Sequence, residues 1–169
     1  PNQSDMQVQV GQMLGALEYL AGLPQVRKDA IAVMGLSWGG FLAVYAATEW
    51  IYEAYQVPEL RFSRSAPFYP TCSRLRLAIK GTQPDAPIFK GMPKDFMQRW
   101  IGIEIKISAG GLDDYEDRDA KACPDFLASI EDERQRKLTS VDVYPTATHG
   151  WDHGYTYSFY EPAACKGRG

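Results

Sequence analysis

Apolar and polar residues along the chain fall into helical and strand periods in turn. Val10, Met13, Leu14, Leu17 and Leu20 fall on one face of a helix. Ser4 or Asp5 caps its start, and Gly22 and Pro24 end it. Ile31-Ala32-Val33-Met34 is a short unbroken apolar run, which predicts a strand buried on both faces. Gly40 to Trp50 is rich in alanine and large apolar residues, as suits a buried helix. Arg61 to Phe68 predicts a strand, although its alternation is poor. Ile101 to Ile107 alternates strictly, with isoleucine on one face, and Ser140 to Tyr144 also has a period of two. Asp125 to Lys137 reads as a charged helix covering the sheet, with Pro124 in its first turn.

Residues 74 to 100 are less regular. Gly81, Pro84, Pro87, Gly91 and Pro93 break the pattern, and Phe89, Phe96 and Trp100 are interspersed. A short helix at Lys94 to Arg99 is expected inside this excursion. Its aromatics either wall a pocket or seal the core under a long loop. Strands alternating with helices predict an α/β protein with a mostly parallel sheet of about four or five strands. No internal repeat divides the chain, and residues 1–169 are expected to form a single domain.

Between the first apolar run and the helix after it lies Gly35-Leu36-Ser37-Trp38-Gly39, a G-x-S-x-G motif. Strand, tight turn and helix is the context of a nucleophile elbow. Such a turn puts the serine in a rare backbone conformation, and glycines beside it remove Cβ atoms that would clash. A serine hydroxyl is a poor nucleophile near neutral pH. It requires a base within hydrogen-bond reach and an acid that orients the base.

The chain has two histidines, His149 and His153. His149 lies on the loop just past the strand ending at Tyr144, where a base is expected. His153 shares that loop with Trp151 and Asp152 and suits local packing. Between serine and histidine, the Ile101–Ile107 strand runs into Ala109-Gly-Gly-Leu-Asp-Asp114. An acid there stands at the same sheet edge, which gives the order Ser, Asp, His.

Four pieces resemble the dienelactone hydrolase family of α/β-hydrolases. They are Met34-Gly-Leu-Ser-Trp-Gly-Gly40, Phe68-Tyr-Pro-Thr-Cys72, Gly110-Gly-Leu-Asp-Asp-Tyr115 and Tyr144-Pro-Thr-Ala-Thr-His-Gly-Trp-Asp152. They span most of the chain from about residue 30 onward, in the family's order. The resemblance implies Ser37 as nucleophile, Asp113 as acid and His149 as base. Asp114 is the fallback acid, and otherwise caps the helix that follows. The backbone N–H of Trp38 supplies the first oxyanion donor.

Only 36 residues precede Ser37. The family's first strands, and the loop that gives its second oxyanion donor, have no counterpart there. The chain therefore resembles the C-terminal two-thirds of a hydrolase, and we expect a piece of a longer polypeptide. The first strand is then an edge within the chain, paired with a missing N-terminal segment or with a second copy. The isolated chain is expected to be weakly active or inactive.

At 45% apolar residues the chain can fill one core, and a net charge of −3 gives no basic footprint for nucleic acid or an anionic membrane. The basic tail Lys166-Gly-Arg168 is too short to change that, and no apolar run reaches membrane-spanning length. Cys72, Cys123 and Cys165 have no metal-ligand spacing. Cys72 and Cys123 fall near the same sheet edge, either paired as a disulfide or as two small semi-buried residues. His149 and His153 are four apart, but Gly150 and the loop setting argue against a metal. No metal or cofactor is expected. Localisation is left open. Two readings follow: a serine hydrolase acting on a small ester or lactone, or a degenerate, non-catalytic hydrolase fold serving in binding or structure.

Overall fold

A computed structural model of the chain describes residues 6–57, 59–81 and 92–153. Helix α1, Met6–Ala21, buries Met6, Val10, Leu14 and Leu17, the apolar stripe of the sequence. Gly22 closes it by donating its N–H to Glu18 O. Ser4 and Asp5, the expected caps, lie outside the described residues. Strand β1, Ala32–Leu36, leads through Ser37 into α2, Trp38–Tyr45, and then α3, Glu49–Ala54. Strand β2, Arg64–Phe68, leads into α4, Cys72–Ile79. Strand β3, Glu104–Gly110, leads into α5, Ala122–Ala128, and α6, Glu133–Leu138. Strand β4, Thr139–Tyr144, follows α6 directly.

Among the described residues four strands pair in parallel in the order β1-β2-β3-β4, with β1 at one edge of that sheet. Register puts Val33, Ser65, Ile105 and Thr139 in one row across the sheet. Their face is the covered one: Ser65, Ile105, Ile107, Ala109 and Thr139 are buried. The opposite face carries Met34, 67% exposed, and the exposed Arg64, Glu104, Lys106, Asp142 and Tyr144. Ion pairs Arg64–Glu104 and Lys106–Asp142 cross it. Being exposed, each contributes less than about 1 kcal/mol.

This corrects the expectation that β1 is buried on both faces. Ala32, Met34 and Leu36 are exposed among the described residues. An apolar run reports that a segment tolerates burial, not that both sides have a partner.

Other boundaries also move. The helix expected over Gly40 to Trp50 breaks after Tyr45. There Thr48 takes extended dihedrals, forms an isolated antiparallel bridge with Trp100, and donates its hydroxyl to Tyr45 O. The helix expected over Asp125 to Lys137 splits because Asp132 caps a new start by accepting from Gln135 N. Ile130, fully buried, anchors the break. The strand expected from Ile101 begins at Glu104, after Gly102 with φ +75°. Lys94 to Gln98 are turns, not helix. Pro84, Pro87, Phe89 and Gly91 lie outside the described residues.

One apolar cluster joins α1 (Val10, Leu14, Leu17), α2 (Phe41, Val44, Tyr45), α3 (Ile51, Tyr52), β3 (Ile105, Ile107) and α5 (Phe126). Phe96, Met97 and Trp100 from the irregular segment belong to it, so the described aromatics Phe96 and Trp100 seal the core. No described helix is long and apolar enough to cross a membrane.

Candidate active site

Ser37 sits at the turn between β1 and α2 with φ 54° and ψ −115°, a conformation that L-residues rarely adopt. Its N–H donates to Phe68 O at the end of β2, which fixes the turn against the sheet. A Cβ on Gly35 would lie 1.9 Å from Gly39 O, so only glycine fits there. The second tight approach is at Gly40, whose Cβ would lie 2.6 Å from Phe68 O. A Cβ on Gly39, the last residue of the motif, would meet nothing within 4 Å. The expected relief of clashes therefore falls on Gly35 and Gly40.

The ends of β3 and β4 interlock. Gly111 N donates to Tyr144 O, and Leu112 N donates to Ala147 O. The backbones approach so closely that a Cβ on Gly110 would stand 2.7 Å from Ala147 O. This contact brings the residue after Leu112 beside the loop after β4.

There Asp113 Oδ2 lies 2.9 Å from His149 Nδ1, and His149 Nε2 lies 2.7 Å from Ser37 Oγ. With the imidazole proton on Nδ1, His149 donates to Asp113 and accepts from the serine hydroxyl, so one tautomer satisfies both contacts. Asp113 is 1% exposed and its other oxygen accepts from Tyr115 N. That bond caps the short 3₁₀ turn Asp114–Glu116. The capping expected of Asp114 is thus performed by Asp113. Asp114 instead faces Arg118, whose Nε is 2.7 Å from its carboxylate. His153 is near Asp152, at 3.9 Å, rather than at Ser37. Trp38, the first residue of α2, packs its ring on Phe41 and donates its indole N–H to Gln9 of α1.

Three neighbours have no role in the motif reading. Tyr69 and Tyr115 pack against the His149 ring, with centroids 4.7 Å and 4.3 Å away. Glu116 is buried and accepts from Ser73 N at the start of α4. Burial raises its pKa; hydrogen bonds from Ser73 oppose the rise, and the Asp113 charge adds to it. Tyr69 was visible in the Phe68-Tyr-Pro-Thr-Cys72 piece. Nothing in local periodicity says that it faces the histidine loop.

Cys72 and Cys123 form a disulfide that joins the start of α4 to the start of α5. Arg76 and Asp125 pair across the same two helices at 2.8 Å. The two sulfurs and the Glu116 carboxylate are close enough to share an ion. With both sulfurs in the S–S bond, no thiolate is there to ligate a metal.

No family model matches the chain, and no curated protein matches it in sequence. Solved structures do share its fold. Esterase B from Lactobacillus rhamnosis (HN001) has a TM-score of 0.61 at 15% identity, covering 96% of this chain and 58% of its own. The same enzyme in a C6-C4 SN3 inhibited form gives 0.59 at 15%, covering 96% and 59%. Est1E from Butyrivibrio proteoclasticus gives 0.60 at 14%, covering 90% of this chain and 66% of its own. The chain thus adopts part of an α/β-hydrolase fold, and spans less than two thirds of the length of the esterases it matches.

Proposed function

We propose that this chain carries the reacting groups of a serine hydrolase that cleaves a small carboxylic ester or lactone, in the manner of the dienelactone hydrolases its motifs resemble. One observation carries the reading: the hydrogen-bonded series from Ser37 Oγ through the His149 ring to the buried Asp113 carboxylate, at 2.7 Å and 2.9 Å. In this reading Ser37 Oγ attacks the substrate carbonyl while its proton passes to His149 Nε2. Asp113 holds the imidazole in the competent tautomer and stabilises the imidazolium. The Trp38 backbone N–H, at the start of α2, helps bind the oxyanion. His149 returns the proton to the leaving alkoxide, and water then releases the acyl group by the same steps in reverse. Fold likeness to esterases agrees with this chemistry.

A fluorophosphonate probe tests it, because the probe reacts with an activated serine and not with an ordinary hydroxyl. Ser37 should be labelled in the longest natural form, and Ser37→Ala should abolish labelling. Labelling that survives the substitution would sink the assignment. No labelling of the wild type would favour a degenerate fold with a binding or structural role. The 169-residue chain should hydrolyse p-nitrophenyl acetate more slowly than the longest form. Loss of one oxyanion donor is worth about 3 kcal/mol, a hundredfold or more in rate. Equal turnover by the two would show that no further donor is needed.

A further inference from the structure

We propose that Tyr69 is a positioning residue, its hydroxyl tethering the loop that carries His149 to the end of β2 through Asp152. The proposal rests on the hydrolase reading of Ser37 and His149. Tyr69 is 2% exposed and has φ +37°, unusual for a residue with a side chain. Its backbone is fixed, since its N–H donates to Ser108 O at 2.7 Å. From that anchor the phenol ring runs edge-on past His149, with centroids 4.7 Å apart, and against Trp151 at 4.9 Å. Its hydroxyl ends 2.5 Å from Asp152 Oδ1, in the range of a hydrogen bond to a charged oxygen.

The loop after β4 is held on both sides of the histidine. On the near side, Leu112 N binds Ala147 O. On the far side, Gly150 has φ +69° and leads into the 3₁₀ turn Trp151–His153. Glycine adds conformational freedom there. The tyrosine–aspartate bond fastens that turn back onto β2. Without it, the imidazole is located by its own bonds to Ser37 and Asp113 and by packing of the Tyr69 and Tyr115 rings. The bond at Nε2 must change partner during proton transfer while the one to Asp113 is kept, so an outside support helps hold the ring in place meanwhile. A misplacement near 1 Å costs about a hundredfold in rate. Loss of a single support is expected to cost about tenfold.

Substitutions separate the tether from mere packing. Tyr69→Phe keeps the ring and removes the hydroxyl. Asp152→Ala removes the acceptor, and Asp152→Asn keeps one. In the longest natural form, Tyr69→Phe and Asp152→Ala should each slow fluorophosphonate labelling of Ser37 about tenfold. On p-nitrophenyl acetate each should lower kcat with KM unchanged. Asp152→Asn should recover most of the rate, and the double variant should be no slower than either single one. Additive losses, or a wild-type rate for Tyr69→Phe, would overturn the tether. A second readout does not depend on turnover: the NMR signal of the His149 Nδ1 proton should exchange with water faster in Tyr69→Phe. If wild-type Ser37 is not labelled at all, the hydrolase reading fails. Unchanged exchange of that proton then overturns the tether by itself.

Discussion

Ser37 Oγ and His149 Nε2 lie 2.7 Å apart although 112 positions separate them in the chain. Neither residue sits in a regular element. Ser37 is at the turn after β1, and His149 is on the loop after β4, at opposite edges of the sheet. They meet because both strands run the same way and deliver their loops to one end. The same end receives Asp113 from the loop after β3.

That convergence assigns different outcomes to the two neighbouring aspartates. Asp113→Asn would keep the shape and lose the acceptor that favours a proton on His149 Nδ1. The labelling rate of Ser37 should fall by about four powers of ten. Asp114→Asn should leave the rate nearly unchanged, because its partner is the exposed Arg118. Rates measured side by side check both, and a reversed order would move the acid to Asp114.

Gly35 and Gly39 should respond in opposite ways. Gly35→Ala forces a Cβ to 1.9 Å from a backbone oxygen that cannot move away without breaking the turn. A loss on the order of 4 kcal/mol or an insoluble protein is expected. Gly39→Ala meets nothing within 4 Å. It should be neutral or stabilising by up to about 1 kcal/mol, since glycine is a poor helix residue. Denaturant melts of the two variants decide this.

The disulfide should matter to stability. It closes a loop with a sequence separation of 51, which by loop-closure entropy stabilises by about 4 kcal/mol. Cys72→Ser with Cys123→Ser should lower the melting temperature, and a dithiol reductant should lower that of the wild type but not of the double variant. Equal melting temperatures with and without reductant in the wild type would show that the bridge adds nothing.

Glu116 should leave a signature in the pH dependence of stability. Its folded pKa lies above the ordinary 4.5, mainly because burial disfavours the carboxylate. At lower pH the acid is neutral in both folded and unfolded chains and has no effect. As pH rises from about 4.5 through the raised value, the unfolded chain ionises first, so the native state loses stability. Glu116→Gln keeps an acceptor for Ser73 N and removes the charge. Its melting temperature relative to wild type should therefore rise as pH climbs above the ordinary carboxylate range and through the raised pKa. A difference that stays flat or falls over that range would show that the buried carboxylate is not disfavoured.

The sequence by itself determined the alternation of strands and helices, the buried stripe Val10, Leu14 and Leu17, and the three loops that bear Ser37, Asp113 and His149. These are local properties: hydrophobic period, glycines at a tight turn, and acid or histidine directly after a strand. Tertiary structure decided the rest. The motif resemblance pointed to Asp113 rather than Asp114, but that the Asp113 carboxylate lies against His149 while Asp114 faces Arg118 is a direction that neither spacing nor composition carries. Thr48 breaks a helix because Trp100, far along the chain, offers it a backbone partner. Met34 and Leu36 are apolar yet exposed, since burial needs a second surface and the pattern of one strand cannot report whether one is present. The Cys72–Cys123 bond and the contact of Tyr69 with Asp152 likewise depend on which loops meet at the end of the sheet. A contact between distant residues is set by the path of the whole backbone, and only the folded chain fixes that path.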